Sequence, residues 1–196
     1  MQEFRKRFRG QAAPLPGMPA WESELLQARG IDTAEKAEQF LHPSLNGMHD
    51  PFAMKDMSRA VTLIRMAIQR EERIMVYGDY DVDGISAVTI LMETLLEEGA
   101  NAFFRIPVRH QEGYGLNEQA VREIAESCQM LITVDCGIAN VNEIRLAKEL
   151  GMTVIVTDHH EVPSVLPDAD ANPTAPSSHS CPSSRSCRGL RPGLWT

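Results

Sequence analysis

Three short polar clusters contain the side-chain types that bind divalent cations. They are DYDVDG, VDCGI and TDHH, which contribute Asp79, Asp81 and Asp83, then Asp135, then Asp158, His159 and His160. So many carboxylates cannot all stay ionised close together unless cations separate them. Carboxylate oxygens with one or two imidazoles suit Mn²⁺ or Mg²⁺. Two such ions about 3.5–4 Å apart can hydrolyse phosphate esters, because together they activate water and stabilise charge on phosphorus.

Each cluster follows a predicted β-strand. Short apolar runs predict strands at residues 73–78, 101–108, 130–135 and 152–158, and segments of helical period separate them, at residues 85–99, 116–128 and 140–151. This alternation predicts a doubly wound, mainly parallel α/β sheet. Because ligands bind at the carboxyl ends of such strands, we expect the three clusters to meet at one edge of the sheet.

Further helices are predicted before the first strand, over residues 21–30, 33–41 and 56–72. Asn117 is the predicted start of the helix after the second strand. Asn140 and Glu143 have the spacing of a capping box at the start of the helix after the third strand.

Simpler interpretations of the clusters also have to be considered. DYDVDG resembles the start of a calcium-binding loop, but the twelfth position of that loop is Ile90 rather than an acidic residue. A single aspartate at a strand end, such as Asp135, is often only a turn or a cap. Gly84 is either a helix-start glycine or a point where the backbone approaches a phosphate closely.

Composition limits the class of protein. The chain has 196 residues, 43% of them hydrophobic, and a net charge of −8, which argues against nucleic-acid binding over the whole surface. No apolar run is long enough to span a membrane, and the basic N-terminus lacks the apolar stretch of a signal peptide. The four cysteines indicate no disulfide framework, so we expect a reducing, cytoplasmic setting.

The chain divides into four predicted regions. Residues 1–20 form an irregular leader that is basic and then rich in Pro and Gly, and residues 21–72 form an N-terminal helical segment. Residues 73–172 form the α/β domain. Residues 173–196 are rich in Ser, Pro, Arg and Cys without periodicity, which predicts disorder.

The three motifs, in this order, resemble the first three motifs of the DHH phosphoesterases. The flanking stretches FLHPSLNGMHDPFAMKDMSRAV and IPVRHQEGYGLN are similar to those of the RecJ-type single-strand-specific 5′→3′ DNA exonucleases. The resemblance covers about residues 21–173. In the related family II pyrophosphatases a histidine ligand lies four residues before the position of Asp81. Tyr77 stands there, which argues against a pyrophosphatase.

The resemblance implies a role for each matching residue. Asp81 and Asp83 would each bind one of two Mn²⁺ or Mg²⁺ ions, Asp79 would support the first ion, and Asp135 would bridge both. His159 would bind the second ion, with Asp158 orienting that histidine. His160 would face the scissile phosphate. Arg109 and Tyr114, with Gly84, are the expected nucleic-acid contacts.

The sequence departs from the resemblance after Asn172-Pro173. RecJ-type chains continue with a fourth metal-binding aspartate, a DHHA1 domain and an OB-like domain, whereas this chain ends at Thr196. We expect a truncated product whose last ~20 residues are read out of frame, because this tail lacks folding periodicity. Translating the gene in its other two frames tests this expectation. Such a chain is expected to have weak or no exonuclease activity alone.

The resemblance predicts a metal-dependent exonuclease that degrades single-stranded DNA in recombination and repair, with a single-strand-binding protein and a helicase as partners. One alternative is a small-substrate DHH phosphodiesterase acting on short oligonucleotides or cyclic dinucleotides. Another is a non-catalytic relative that binds nucleic acid. The complete set of carboxylates and histidines argues against the second alternative, and the EGYGLN segment argues against the first.

Overall fold

The structure, a computed structural model, describes residues 14–48, 50–108 and 115–173. Arg109, Tyr114, most of the leader and the tail from residue 174 lie outside the described residues. The described residues form two compact units, residues 14–48 and residues 50–173.

The N-terminal unit contains two short helices, α1 (Ala20–Ala28) and α2 (Ala34–Leu41), followed by a 3₁₀ turn (Leu45–Gly47). Leu15, Leu26 and Ala37 form its small core. Thr33 caps α2, because its hydroxyl accepts a hydrogen bond from the Lys36 amide at 3.2 Å. Both predicted helices are therefore confirmed.

The larger unit is built from alternating helices and strands. A 3₁₀ turn (Pro51–Ala53) leads into the first helix, and the elements that follow are α3 (Met57–Gln69), β1 (Arg73–Gly78), α4 (Val82–Glu97), β2 (Asn101–Arg105), α5 (Glu118–Ala125), β3 (Met130–Val134), α6 (Val141–Glu149) and β4 (Thr153–Thr157). Every predicted strand and helix is present, with ends that differ by a few residues. No helix among the described residues combines the length and the apolarity needed to cross a bilayer.

The four strands form one sheet in the order β2-β1-β3-β4, with every neighbouring pair parallel. The chain leaves β1 to one side to make β2 and then crosses to the other side to make β3. The boundary between β1 and β3 is therefore a topological switch point, where the carboxyl ends of the strands leave a crevice. The predicted parallel α/β fold is confirmed.

A hydrophobic core lies on each face of the sheet. On one face, β-strand residues such as Val76 and Ile132 pack with Ala60 of α3 and Val88 of α4. On the other face, the residues of α5 and α6 pack against alternating strand positions. The central strand β3 is buried along its whole length, as expected for a strand covered on both faces. The edge strand β2 is different, since Phe104 there is 61% exposed.

Two local details differ from the predictions. Helix α4 begins at Val82, not Ile85, because Asp81 acts as its N-cap and Asp83 therefore lies in its first turn. The predicted capping box at α6 is wrong, because the Asn140 side chain accepts no bond from the helix. Its amide instead donates to the Leu116 carbonyl at 2.9 Å and to Glu143 Oε2 at 3.3 Å.

Residues 170–173 extend the sheet beyond β4. Ala171 forms a single parallel bridge with Ile155, and the Val156 amide donates to the Ala171 carbonyl at 3.0 Å. The Asn172 amide donates to Asp56 Oδ2 at 3.3 Å, which links this segment to the start of α3. The segment thus closes the sheet on the side of β4 and brings Pro173 to the carboxyl edge of the strands.

Candidate metal centre

The three predicted clusters meet at the carboxyl edge of β1, β3 and β4. Asp79 directly follows β1, Asp135 directly follows β3, and Asp158 directly follows β4. Asp79 and Asp135 are buried, with 1% and 8% of their surface exposed. The convergence expected from the sequence therefore occurs at the switch point of the sheet.

The first cluster is shaped by the tight start of α4. The Gly84 amide donates to Asp81 Oδ1 at 3.0 Å, and this bond lowers the pKa of Asp81 and keeps it ionised. Gly84 is buried, and a Cβ on it would lie 2.4 Å from the Asp79 carbonyl oxygen. Glycine is thus required for the first turn of α4 to pack on the Asp79 peptide. The predicted contact of Gly84 with nucleic acid stays a prediction.

Asp135 has an unusual backbone conformation. Its φ is 58°, in the left-handed region that residues other than glycine seldom adopt, although Asp and Asn tolerate it best. Strain of this kind is kept where the surrounding structure holds it, and it often marks a functional site. Burial, together with the nearby charge of Asp81, raises the pKa of Asp135. The carboxylate of Asp135 is therefore poorly compensated by the described protein groups.

Two sets of possible metal ligands share Asp135. One set is Asp79, Asp81 and Asp135, and the other is Asp135, His159 and His160. Within each set one ligand atom per residue lies within 4.8 Å of the others. Opposite ligands of an octahedral Mg²⁺ ion lie ~4.2 Å apart, which falls within this limit.

Buried oxygens without hydrogen bonds show that these residues fit divalent cations. Among the described residues, none donates a hydrogen bond to Asp79 Oδ1 or to either carboxylate oxygen of Asp135. His159 Nε2 lies 2.9 Å from Asp135 Oδ1, but without the alignment of a hydrogen bond. Leaving a buried carboxylate oxygen unpaired is costly, and a cation at either set of ligands would remove that cost.

Asp158 holds His160 in place. Its Oδ1 lies 2.8 Å from His160 Nδ1 and accepts a bond from the His160 amide at 3.0 Å. Its Oδ2 accepts from the Ile138 amide at 2.9 Å. The expectation that Asp158 orients His159 does not match this arrangement, because the carboxylate forms a local turn with the residue two positions on.

His160 is more basic than an ordinary histidine. Its partial burial would lower its pKa, but the hydrogen bond with Asp158 and the charges of Asp158 and Asp135 outweigh this effect and raise the pKa. The side chain is 45% exposed, so it can reach a bound anion from the edge of the site. The ring centroids of His159 and His160 are 4.8 Å apart.

Asp83 lies in the first turn of α4, where it is exposed. It belongs to neither set of three ligands, but it lines a cavity together with Asp135, Asp158 and His159. The cavity is completed by four residues that sequence reasoning missed, since ordinary apolar and hydroxyl residues carry no ligand pattern: Met54, Ala87, Thr157 and Pro173.

Tyr77 is fully buried, and its hydroxyl donates to the Gly115 carbonyl at 3.1 Å. The position occupied by a histidine ligand in family II pyrophosphatases is therefore used here to pack the sheet against the residues before α5.

The fold and the site together define a class of domain, a metal-binding domain of parallel α/β type. Its carboxylate and imidazole side chains lie together at the switch point of the sheet, where they can bind divalent cations. The chain belongs to the DHH family, since residues 73–189 match the DHH family, N-terminal domain.

The chain is similar to two curated relatives and to one solved structure. The chain is 50% identical over 150 residues to the single-stranded-DNA-specific exonuclease RecJ of Bacillus subtilis, covering 76% of this chain and 19% of the relative. It is 35% identical to the RecJ of Thermus thermophilus, covering 87% of this chain and 28% of the relative. A crystal structure of exonuclease RecJ bound to manganese superposes with a TM-score of 0.61 and 37% identity, over 65% of this chain and 33% of that structure. The chain thus spans less than a third of the length of these curated relatives.

Proposed function

We propose that this chain carries the metal-binding part of a 5′→3′ exonuclease that hydrolyses single-stranded DNA to 5′-mononucleotides. The observation that carries the proposal is that Asp135 lies within ligand distance both of Asp79 and Asp81 and of His159. A shared carboxylate is typical of two-metal phosphoesterase sites. The similarity to single-stranded-DNA-specific exonucleases supports this choice of substrate.

Each side chain has a part in the proposed site. Asp79, Asp81 and Asp135 would hold one Mn²⁺ or Mg²⁺ ion, and Asp135 and His159, with Asp83 nearby, would hold the other. When bound, the ions would supply an activated water and neutralise charge on the phosphate. The relative that binds manganese supports this type of metal.

His160 would contact the phosphate directly. Its link to Asp158 fixes the ring and favours the protonated form, so it can donate a hydrogen bond to a phosphate oxygen in the transition state. Asp158 would thus act through His160. Arg109 and Tyr114 would contact the DNA strand. A role in DNA recombination and repair in the cytoplasm, with a single-strand-binding protein and a helicase as partners, belongs to the same proposal.

The test compares four substrates in the presence of Mn²⁺: a long 5′-phosphorylated single strand, a duplex, a dinucleotide and pyrophosphate. This chain alone is expected to cleave weakly or not at all. From the full-length product of the same gene we expect mononucleotides from the long single strand only, with activity lost in Asp135→Asn and kept in Asp168→Asn, a change at an exposed carboxylate outside the ligand sets. A preference for the dinucleotide would support a small-substrate phosphodiesterase instead.

Binding of Mn²⁺, followed by electron paramagnetic resonance, is measured in parallel. We expect binding that Asp135→Asn weakens and Asp168→Asn does not. If the chain binds Mn²⁺ but cleaves nothing, the assay is repeated with the full-length product of the same gene. Lack of cleavage there would overturn the proposed activity.

A further inference from the structure

The cavity beside the candidate metal centre has a volume of about 360 Å³. Asp83, Asp135, Asp158 and His159 form the part of its lining that can ionise, called here the acidic side. Its volume lies at the lower end of the range for small-molecule sites, about 300–1,000 Å³. It is therefore large enough to accept more of a substrate than the reacting phosphate.

The apolar part of the lining, called here the apolar wall, is formed by Met54, Ala87 and Pro173. These residues come from three different elements: the turn before α3, the second turn of α4, and the segment paired with β4. Met54 and Ala87 are half-buried and Pro173 is buried. The hydrogen bond from the Asn172 amide to Asp56 joins two of these elements, so the wall is held in place by the fold.

We infer that this apolar wall receives the base of the nucleotide whose phosphate lies at the metal centre. The inference rests on the proposed function, since it takes its phosphate from that reaction. The acidic side and the apolar wall line one continuous cavity. A nucleotide presents the same two surfaces, an anionic phosphate that needs cations and an aromatic base that gains from contact with apolar side chains. A methionine thioether is well suited to such contact, because sulfur packs favourably on aromatic rings.

The apolar wall can contact the face of a base, but its side chains form no hydrogen bonds with the base edges. Thr157 is the one hydroxyl among the residues that line the cavity, and it donates to the Thr133 carbonyl at 2.7 Å. Met54, Ala87 and Pro173 carry no side-chain hydrogen-bond donor. Binding through the face of the base is tolerant of sequence, because every base has such a face. An enzyme that removes nucleotides one after another from any strand needs this tolerance.

The experiment measures binding of three probes to the Mn²⁺-loaded chain by titration calorimetry: deoxyadenosine 5′-monophosphate, 2-deoxyribose 5-phosphate and inorganic phosphate. We expect the nucleotide to bind about tenfold tighter than the sugar phosphate, the effect of one base on an apolar surface. Thymidine 5′-monophosphate should bind within about threefold of the adenine nucleotide, because the wall makes no base-specific bonds.

Three variants test whether the apolar wall causes the tighter binding of the nucleotide. Ala87→Leu fills the cavity and Met54→Ala removes most of the wall, and each should reduce the tenfold ratio to about threefold or less, with Mn²⁺ affinity unchanged. Thr89→Leu, on the exposed side of α4, is the matched control and should keep the full ratio. Circular dichroism checks that each variant folds.

The outcomes separate the inference from the proposed function. Equal binding of nucleotide and sugar phosphate to the wild type, with Mn²⁺-dependent binding of both, would overturn the inference and leave the proposed function standing. A ratio that survives in both Ala87→Leu and Met54→Ala would also overturn it, because the base would then bind elsewhere. If none of the three probes binds in a Mn²⁺-dependent way, both the inference and the proposed function are wrong.

Discussion

His159 Nε2 lies 2.9 Å from Asp135 Oδ1, although the two residues follow different strands of the sheet. The pair joins the ends of β3 and β4. Asp135 also belongs to the ligand set formed with Asp79 and Asp81 at the end of β1. One buried carboxylate therefore connects all three polar clusters, and the site should respond strongly to changes at this residue.

Asp135→Asn should raise the stability of the metal-free protein and abolish its stabilisation by Mn²⁺. Burial and the charge of Asp81 raise the pKa of Asp135. A carboxyl group with a raised folded-state pKa contributes most stability below its unfolded pKa of about 3.9, and that stability is lost as pH rises through the folded-state value. At pH 7 the Asp135→Asn variant avoids this loss of stability, because the asparagine side chain has no charge. Thermal unfolding with EDTA and with Mn²⁺ measures both effects.

Asp135→Ala is the matched comparison for the backbone. Asparagine tolerates the φ of 58° at this position, whereas alanine does not. The alanine variant should be less stable than the asparagine variant by about 1–2 kcal/mol in the metal-free state. Equal stability of the two variants would show that the left-handed conformation at residue 135 is not maintained in solution.

The pair Asp158–His160 should make the stability of the metal-free protein depend on pH. The pKa of His160 is raised, so the stability contributed by the charged pair is fully present below the ordinary histidine pKa of about 6.5 and is lost as pH rises through the folded-state value. Asp158→Asn should therefore lower the free energy of unfolding more at pH 6 than at pH 9. Urea unfolding in EDTA at both pH values measures the difference.

His160→Gln is the control for this pH effect. In that background Asp158→Asn should have the same cost at both pH values, because no histidine is left to titrate at residue 160. Nuclear magnetic resonance of the histidine ring protons gives a second measurement. The pKa of His160 should fall when Asp158 is replaced by asparagine, and an unchanged value would contradict the pairing.

Much of this fold could be predicted from the sequence, because β1, β3 and β4 are short apolar runs followed by polar residues. The convergence of the three clusters followed from that pattern alone. The apolar periodicity places the start of α4 at Ile85, whereas the helix begins at Val82, because Asp81 caps it and periodicity alone does not reveal the cap. Aspartate tolerates a left-handed backbone better than most residues, but residue type alone does not show that Asp135 adopts one. Its conformation depends on the surrounding tertiary structure. The pairing of Asp158 with His160 is a local turn, but residue types alone do not show which of the two histidines the carboxylate contacts.

Gly84→Ala should destabilise the larger unit. The added methyl group would lie 2.4 Å from the Asp79 carbonyl oxygen, and backbone atoms cannot move aside cheaply. The φ of Gly84 is not in the left-handed region, so the cost is steric; overpacking of this kind typically costs about 1–3 kcal/mol. Urea unfolding measures it. Gly47→Ala is the control, because nothing lies within 4 Å of the added methyl group there, and it should change stability by less than about 0.5 kcal/mol.

Asp170→Ala should show that residues 170–173 belong to the folded sheet. One oxygen of Asp170 accepts from Lys148 Nζ, and the other accepts from the Val154 amide at 2.8 Å. Val154 is fully buried, so the substitution leaves a buried backbone donor without a partner, at a cost of about 1–3 kcal/mol. Asp168→Ala, at an exposed position two residues earlier, is the control and should be close to neutral. Urea unfolding followed by circular dichroism measures both variants. If Asp170→Ala proves as harmless as Asp168→Ala, the segment after β4 does not pair with the sheet, and Pro173 is not fixed beside the metal centre.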